Sequence, residues 1–172
     1  MRTVVLGSPP AELERLIAQR RALGLDTYDE VWEGDYHMAP AAHGRHGWLD
    51  QELAQFLGPV AGKAGLRATG PINLGSPTNF RVPDRALLAT GTPSGWYETA
   101  QLVVEIESPD DETWEKLAFY AEHHVDEVVV VSADTCTVTW LALHEGDYIP
   151  AERSRLIDSG SFELAETIEW PP

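Results

Sequence analysis

From Val125 to Ser132 the chain is nearly all apolar, as expected of a strand buried on both faces. A second run, Gln101 to Glu107, carries Leu102, Val103, Val104 and Ile106 and predicts another strand. Between them Trp114, Leu117, Ala118 and Ala121 recur at helical spacing. Strand, helix and strand within about thirty residues define a βαβ unit, hence two parallel strands joined by a right-handed crossover. Thr135 to Leu143 supplies a further strand, antiparallel after the turn at Ala133-Asp134.

The first half reads less uniformly. Ser8-Pro9 offers a hydroxyl cap and a proline at the first helical position. Leu13, Leu16 and Ile17 then keep helical spacing up to a stop at Gly24. Tyr28 to Met38, with Glu33-Gly34-Asp35 at its centre, predicts a β-hairpin. Pro40 to Gly47 is loop-like. His46, Leu49, Leu53 and Phe56 mark one face of a second helix that ends near Gly58-Pro59 or slightly beyond. Leu66 to Leu74 and Phe80 to Leu88 are strand candidates flanking Gly75-Ser76-Pro77, and Thr90 to Thr99 is a loop. Asp110-Asp111-Glu112 suits a helix N-terminus, where the macrodipole favours acids. A short strand is expected near Phe162 to Ala165. With no repeat, low-complexity tract or linker, residues 1–172 read as one α/β domain.

Length and composition agree. A chain of 172 residues with 43% hydrophobic and 23% charged residues can bury a core without disulfides or a structural metal. The single Cys136 suits a reducing compartment. The opening Thr3-Val4-Val5-Leu6 is too short for a signal-peptide core, and no apolar run approaches the roughly 20 residues that span a bilayer. A soluble, cytoplasmic protein without a membrane partner is the expectation.

Charge narrows the partners. At −16, with 12 basic residues against 28 acidic, the chain opposes strong non-specific nucleic-acid binding, which depends on Lys and Arg displacing counterions. Arg15, Arg20, Arg21, Arg45, Lys63, Arg67, Arg81 and Arg85 crowd the first half and leave room for a basic patch. A solvated surface of mixed charge is the simpler reading.

Between Arg85 and Arg153 the one basic residue is Lys116. Upstream stand Asp84 and, at the end of a buried strand, Glu105. Carboxylates of that kind hold a divalent cation, and a lysine beside them steadies charge on an attacked phosphate. Strand alternation puts Glu105 and Glu107 on one face and Ile106 on the other. A bare carboxylate is costly to bury unless paired or metal-bound, whereas exposed strand-end acids need no explanation. At ~100° per residue Lys116 lies about 200° around the helix from Trp114. Lys116 therefore points away from the sheet if Trp114, Leu117 and Ala121 face it, and reaches the site if Lys116, Phe119, Tyr120 and His123 do. Trp114 and Trp140 are expected in the core, and His123-His124 at a helix end. His46 leads an apolar face and suits a hydrogen-bonded core histidine or a phosphate contact. His37, His43 and His46 lack the further ligands of a zinc site.

These residues, taken together, resemble a family. Glu30-Val-Trp-Glu-Gly34, Met38-Ala-Pro40 with His46, Pro83-Asp84, Leu102-Val-Val-Glu-Ile-Glu-Ser-Pro109, Lys116-Leu-Ala-Phe-Tyr120 and Val125-Asp-Glu127 are similar in order and spacing to the Uma family of restriction endonucleases, within the PD-(D/E)XK nuclease superfamily. The resemblance implies a restriction-endonuclease-like fold, a mixed central β-sheet with a βαβ unit flanked by helices. Its core would span roughly 10–143, with a C-terminal extension 144–172. It implies Asp84 and Glu105 as ligands of Mg²⁺ or Mn²⁺, Lys116 as the catalytic lysine moved from the strand to the next helix, and Glu30, His46 and Tyr120 as further site residues. The implied substrate is nucleic acid, DNA before RNA, and such nucleases are commonly homodimers. Glu107 departs from the family pattern, which usually has an apolar residue there; it could be a third ligand, a partner of Lys116, or a residue that disables the site. The competing reading is a catalytically inactive nuclease-fold module that binds a protein or nucleic-acid partner.

Overall fold

A computed structural model describes residues 3–7, 9–39, 44–108 and 112–172. A six-stranded sheet contains β4 (Leu66–Thr69), β7 (Arg85–Ala89), β8 (Leu102–Glu107), β9 (Glu127–Ser132), β10 (Thr137–His144) and β11 (Asp147–Pro150) in the order β11-β10-β9-β8-β7-β4. β8 and β9 are parallel, paired from Leu102↔Glu127 to Glu107↔Ser132, and the other pairs are antiparallel. The parallel pair is the expected βαβ unit. Its crossover is a 3-10 turn (Thr113–Lys116) running into a short helix, α3 (Leu117–Glu122), which follows α1 (Ala11–Ala22) and α2 (Gly44–Lys63) in the chain.

Alternation along β8 and β9 divides the core. Leu102, Val104, Ile106, Val129 and Val131 face Leu49, Leu53, Leu57 and Ala61 of α2. Val103, Val128 and Val130 face Phe119 and Tyr120 of α3. Glu105 shares the second face, so its side chain leaves the sheet toward the crossover. α2 runs through Pro59 and ends slightly beyond it, at Lys63. Leu57 and Ala61 are both buried against the sheet, and that packing outweighs the backbone hydrogen bond that proline removes.

The structure corrects the expectation of a single central sheet. A second sheet contains β1 (Thr3–Val5), β2 (Glu30–Trp32), β3 (Asp35–Met38), β5 (Leu74–Ser76) and β6 (Asn79–Arg81) in the order β1-β3-β2-β6-β5. β2 and β3 form the expected hairpin, and Glu33 and Gly34 turn it with φ of 52° and 99°, as a two-residue type I′ connection requires. Each long strand candidate breaks in two. β4 and β7 pair in the six-stranded sheet, whereas β5 and β6 form a hairpin in the other. Gly75 permits that hairpin: at φ +114° a Cβ would lie 2.5 Å from the Asn79 carbonyl oxygen and 2.9 Å from the Phe119 ring. Val82-Pro83-Asp84 carries the chain back between sheets, and Pro83 has no N–H to extend either ladder.

The tail is also different. Phe162 to Ala165 belongs to a helix, α4 (Ser161–Thr167), not a strand. Phe162 and Leu164 alternate as a strand would, but Leu164 and Ile168, four apart on one helical face, are the pair that enters the core. Trp140 is buried as expected, whereas Trp114 is 48% exposed. α1 begins at Ala11 after Pro10. The cap residue Ser8, Pro40 to His43 of the loop, and Pro109 to Asp111 with most of the acidic cluster lie outside the described residues. No helix among the described residues is long and apolar enough to cross a membrane.

Buried Glu127 ties the C-terminal segment to the sheet. Its Oε2 accepts from Trp140 Nε1 (2.8 Å) and Ser154 Oγ (2.6 Å), and Oε1 from the Arg155 backbone N–H (2.6 Å). Glu127→Ala strands the buried indole N–H and is expected to lower unfolding free energy by about 3 kcal/mol. Urea denaturation measures this, and a loss under about 1 kcal/mol would assign the tail's attachment to apolar packing alone.

Candidate active site

Where the two sheets meet, four segments deliver polar side chains into one buried cluster. β2 begins with Glu30, the inter-sheet crossing ends with Asp84, β8 carries Glu105, and the crossover to β9 carries Lys116 and Tyr120. Lys116 Nζ lies 3.0 Å from Glu30 Oε1 and 3.1 and 3.0 Å from Glu105 Oε1 and Oε2. Tyr120 donates a hydrogen bond to Glu105 Oε1. Asp84 Oδ2 accepts from the backbone N–H of Ile106 at 2.8 Å, which docks this carboxylate beside Glu105, and His46 Nε2 from α2 lies 3.0 Å from Asp84 Oδ1. Glu30, Glu105 and Lys116 are 1%, 3% and 3% exposed.

The local backbone explains which face of the crossover turns inward. Its first turn is 3-10, not α. At three residues per turn, positions three apart eclipse. Thr113 and Lys116 therefore share the buried face and Trp114 turns to solvent. This is the second of the two faces left open by the sequence, the one carrying Lys116, Phe119 and Tyr120. Trp114 Nε1 instead donates to Glu107 Oε1 at 2.6 Å. Glu107 is thereby paired with an indole at the end of β8.

Burial dominates the electrostatics. It pushes the Glu105 carboxyl up to about 8, against the pull of the Lys116 ammonium and with the help of the Asp84 and Glu30 charges. Burial, followed by the Glu105 and Glu30 charges, pushes the Tyr120 hydroxyl well above its ordinary value, so it remains a donor. Tyr28 is pushed up by burial and then by the charges of Asp50 and Asp84.

Two supporting residues were not found from the sequence. Trp32 donates from Nε1 to Glu30 Oε2 at 2.7 Å, while the Val82 backbone N–H holds Glu30 Oε1 at 2.8 Å. The Arg81 guanidinium is sandwiched between the Trp32 and Phe119 rings, 4.2 Å from each centroid, and its Nη1 donates to the Val31 carbonyl at 3.1 Å. Trp32 sits two residues after Glu30 and so shares its strand face, a signal available in the sequence. Arg81 carries no comparable signal, because its environment comes from three separate segments. His37 stacks on Trp32 at 4.5 Å and lies 3.2 Å from Glu112. His43 lies outside the described residues.

Among the described residues no group of three or more His, Cys, Asp or Glu side chains is arranged to hold a metal ion. The donors at Asp84 and Glu105 are nevertheless hard oxygens of the type magnesium and manganese take, and these ions keep several waters in place of protein ligands. A buried carboxyl whose ionisation is opposed by desolvation also gains from a nearby cation. Asp84 and Glu105 thus offer the donor type such an ion takes, with oxygens that now accept from Ile106, His46, Lys116 and Tyr120.

Comparison with known proteins came to the same architecture. The sequence profile of the Uma2 family, described as "Putative restriction endonuclease", matches residues 15–169. Curated proteins give no significant match. The crystal structure of a protein from Anabaena variabilis described as "a putative nuclease belonging to DUF820" is similar with a TM-score of 0.64 and 15% identity, over 81% of this chain and 90% of that one. A DrdV–DNA complex solved by electron cryomicroscopy is similar at a TM-score of 0.43 and 15% identity, over 90% of this chain but 13% of that one. The first of these likenesses establishes a shared mixed α/β fold.

The raised Glu105 group has a definite sign. Its folded value, about 8, exceeds the ordinary 4.5, so between those limits the native state holds more proton than the unfolded chain and stability falls as pH rises. In EDTA, Glu105→Gln is expected to gain stability relative to the parent from pH 5 to pH 8, by at most about 1.4 kcal/mol per pH unit. Urea denaturation across that range measures the difference, and a pH-independent difference would mean that Lys116 keeps Glu105 ionised throughout.

Proposed function

Because the chain belongs to the Uma2 family, we propose that it is a divalent-metal-dependent endonuclease of restriction-endonuclease-like fold, hydrolysing phosphodiester bonds in nucleic acid. The observation that carries the reading is the convergence of Asp84, Glu105 and Lys116 in one buried cluster, from a strand crossing, a strand and a helical turn. The family's description points to DNA before RNA.

Asp84 and Glu105 would hold Mg²⁺ or Mn²⁺, which when bound supplies a water of lowered pKa and charge neutralisation at the phosphate. The chain's own residues supply the rest. Glu30, fixed by the Val82 N–H and the Trp32 indole, anchors Lys116 so that its ammonium stays beside the carboxylates without a free lysine's rotamer freedom. A charge held in place needs no reorganisation when negative charge grows on the phosphate oxygens. Tyr120 and the Ile106 N–H orient Glu105 and Asp84 respectively. His46 holds the second oxygen of Asp84.

A second reading, a nuclease-fold module that binds a partner without catalysis, is favoured by one observation: both oxygens of Glu105 accept from Lys116. Incubation of plasmid and oligonucleotide DNA with Mg²⁺ or Mn²⁺ separates the two. The nuclease reading expects cleavage that EDTA stops and that Asp84→Asn, Glu105→Gln and Lys116→Met each reduce by about 10²–10³-fold. It also expects a metal-dependent rise in Tm that Asp84→Asn abolishes. The absence of both cleavage and a metal-dependent Tm rise would overturn it in favour of the binding module.

A further inference from the structure

The lone pairs that would hold a divalent ion on Glu105 are engaged by the chain's own cation. Oε1 accepts from Lys116 Nζ at 3.1 Å and from the Tyr120 hydroxyl, and Oε2 accepts from Lys116 at 3.0 Å. A carboxylate oxygen has about two acceptor positions, so the room left on Oε2 lies directly beside the ammonium. A divalent ion there would share one carboxylate with a like charge, in an interior that screens charge poorly. Lys116 and such an ion therefore compete for Glu105.

The ammonium has a second place to rest. Glu30 Oε1 lies 3.0 Å from Nζ, as near as Glu105 Oε2. Glu30 is fixed independently of the lysine by the Val82 N–H and the Trp32 indole, so it stays in position when the Glu105 contact is given up. Lysine carries its charge on a flexible four-carbon stem, and moving from two carboxylates onto one needs only side-chain torsions. Exposure rises across the cluster from Glu30 (1%) through Glu105 and Lys116 (3% each) to Asp84 (9%). Water thus reaches the Asp84 end, and the Glu30 end is sealed. Charge counts point the same way. Glu30, Asp84 and Glu105 are three carboxylates, which one ammonium leaves in excess and which an ammonium with a divalent ion balances. Buried charges persist where they are paired or coordinate a metal.

We infer that Lys116 exchanges with a divalent ion at Glu105, moving onto Glu30 alone when the ion binds from the Asp84 side, and that Glu30 is the positioning residue that makes room for the metal. The inference rests on the nuclease reading for Asp84 and Glu105 as the ligands. It also reinterprets the contact that favours the binding module, since the Lys116–Glu105 pair becomes the form that the metal replaces. Metal affinity is then set by the difference between two ion pairs, and not by the two ligating carboxylates alone.

Isothermal titration calorimetry of the full chain with Mn²⁺ tests this as a double-mutant cycle. Lys116→Met is expected to tighten the Kd at least about fivefold, within the coupling usual for residues in contact. Glu30→Gln should weaken binding at least about fivefold in the parent, where the ammonium falls back on Glu105, and less than about twofold in Lys116→Met. Equal effects of Glu30→Gln in both backgrounds, or no Mn²⁺ binding by the parent, overturn the inference. A second measurement needs no substitution. The chain has two lysines, exposed Lys63 and buried Lys116, so in lysine-¹⁵N-labelled protein the slowly exchanging ammonium signal belongs to Lys116. Saturating Mg²⁺ should speed its proton exchange with water at least about tenfold, because the Glu105 acceptors are lost; unchanged exchange sinks the idea. The two readings fail separately. Metal-dependent cleavage with additive effects of the two substitutions removes the exchange alone, whereas coupled metal binding without cleavage supports the exchange and removes the nuclease.

Discussion

The Lys116 ammonium, held between Glu30 and Glu105 with almost no access to water, is the interaction around which the rest is arranged. Charges of this kind are expensive to bury, and a pair survives in the interior only with good geometry and further hydrogen bonds. Those bonds come from elsewhere in the chain: the Val82 N–H and Trp32 indole on Glu30, and the Tyr120 hydroxyl on Glu105. Each supporting group lies on a different element. The two sheets therefore cannot separate without exposing unpaired charge, which makes the cluster a structural joint between them.

Much of the six-stranded sheet was legible because its signals are local. Val125 to Ser132 and Gln101 to Glu107 are apolar runs bounded by polar turns, and the helical spacing between them left a parallel pair as the consequence. The second sheet was not legible in the same way. Leu66 to Leu74 and Phe80 to Leu88 carry apolar residues throughout, so composition gives no sign that each changes partners midway. The switch is made by backbone features, a positive φ at Gly75 and the missing N–H of Pro83, whose effect depends on what lies opposite. The tail was misread for a related reason, since Phe162 and Leu164 alternate while Leu164 and Ile168 carry the packing.

The site divided along similar lines. Asp84, Glu105 and Lys116 could be named from order and spacing, and Glu30 and His46 from family likeness; the structure brings all five into one neighbourhood. Which way Lys116 faces was undecidable at 100° per residue, because the crossover opens with a 3-10 turn whose eclipsed positions are 113 and 116. Trp114 was assigned to the core for the same reason. Arg81 had no signal at all: its sandwich joins rings from β2 and α3, distant in sequence and unrelated by any period.

Because β8 and β9 run parallel, some crossover between them is obligatory, and here that obligatory connection is also what delivers the lysine. A cation mounted on a strand would keep a fixed distance from Glu105, set by the pleat. One mounted on the crossover moves with a short helical body instead, and its reach depends on how many residues separate Glu107 from Thr113. Lengthening or shortening that link would retune the gap between ammonium and carboxylate while leaving every strand register intact. The chemistry of the cluster and the stability of the sheet can thus vary independently in the descendants of such a chain.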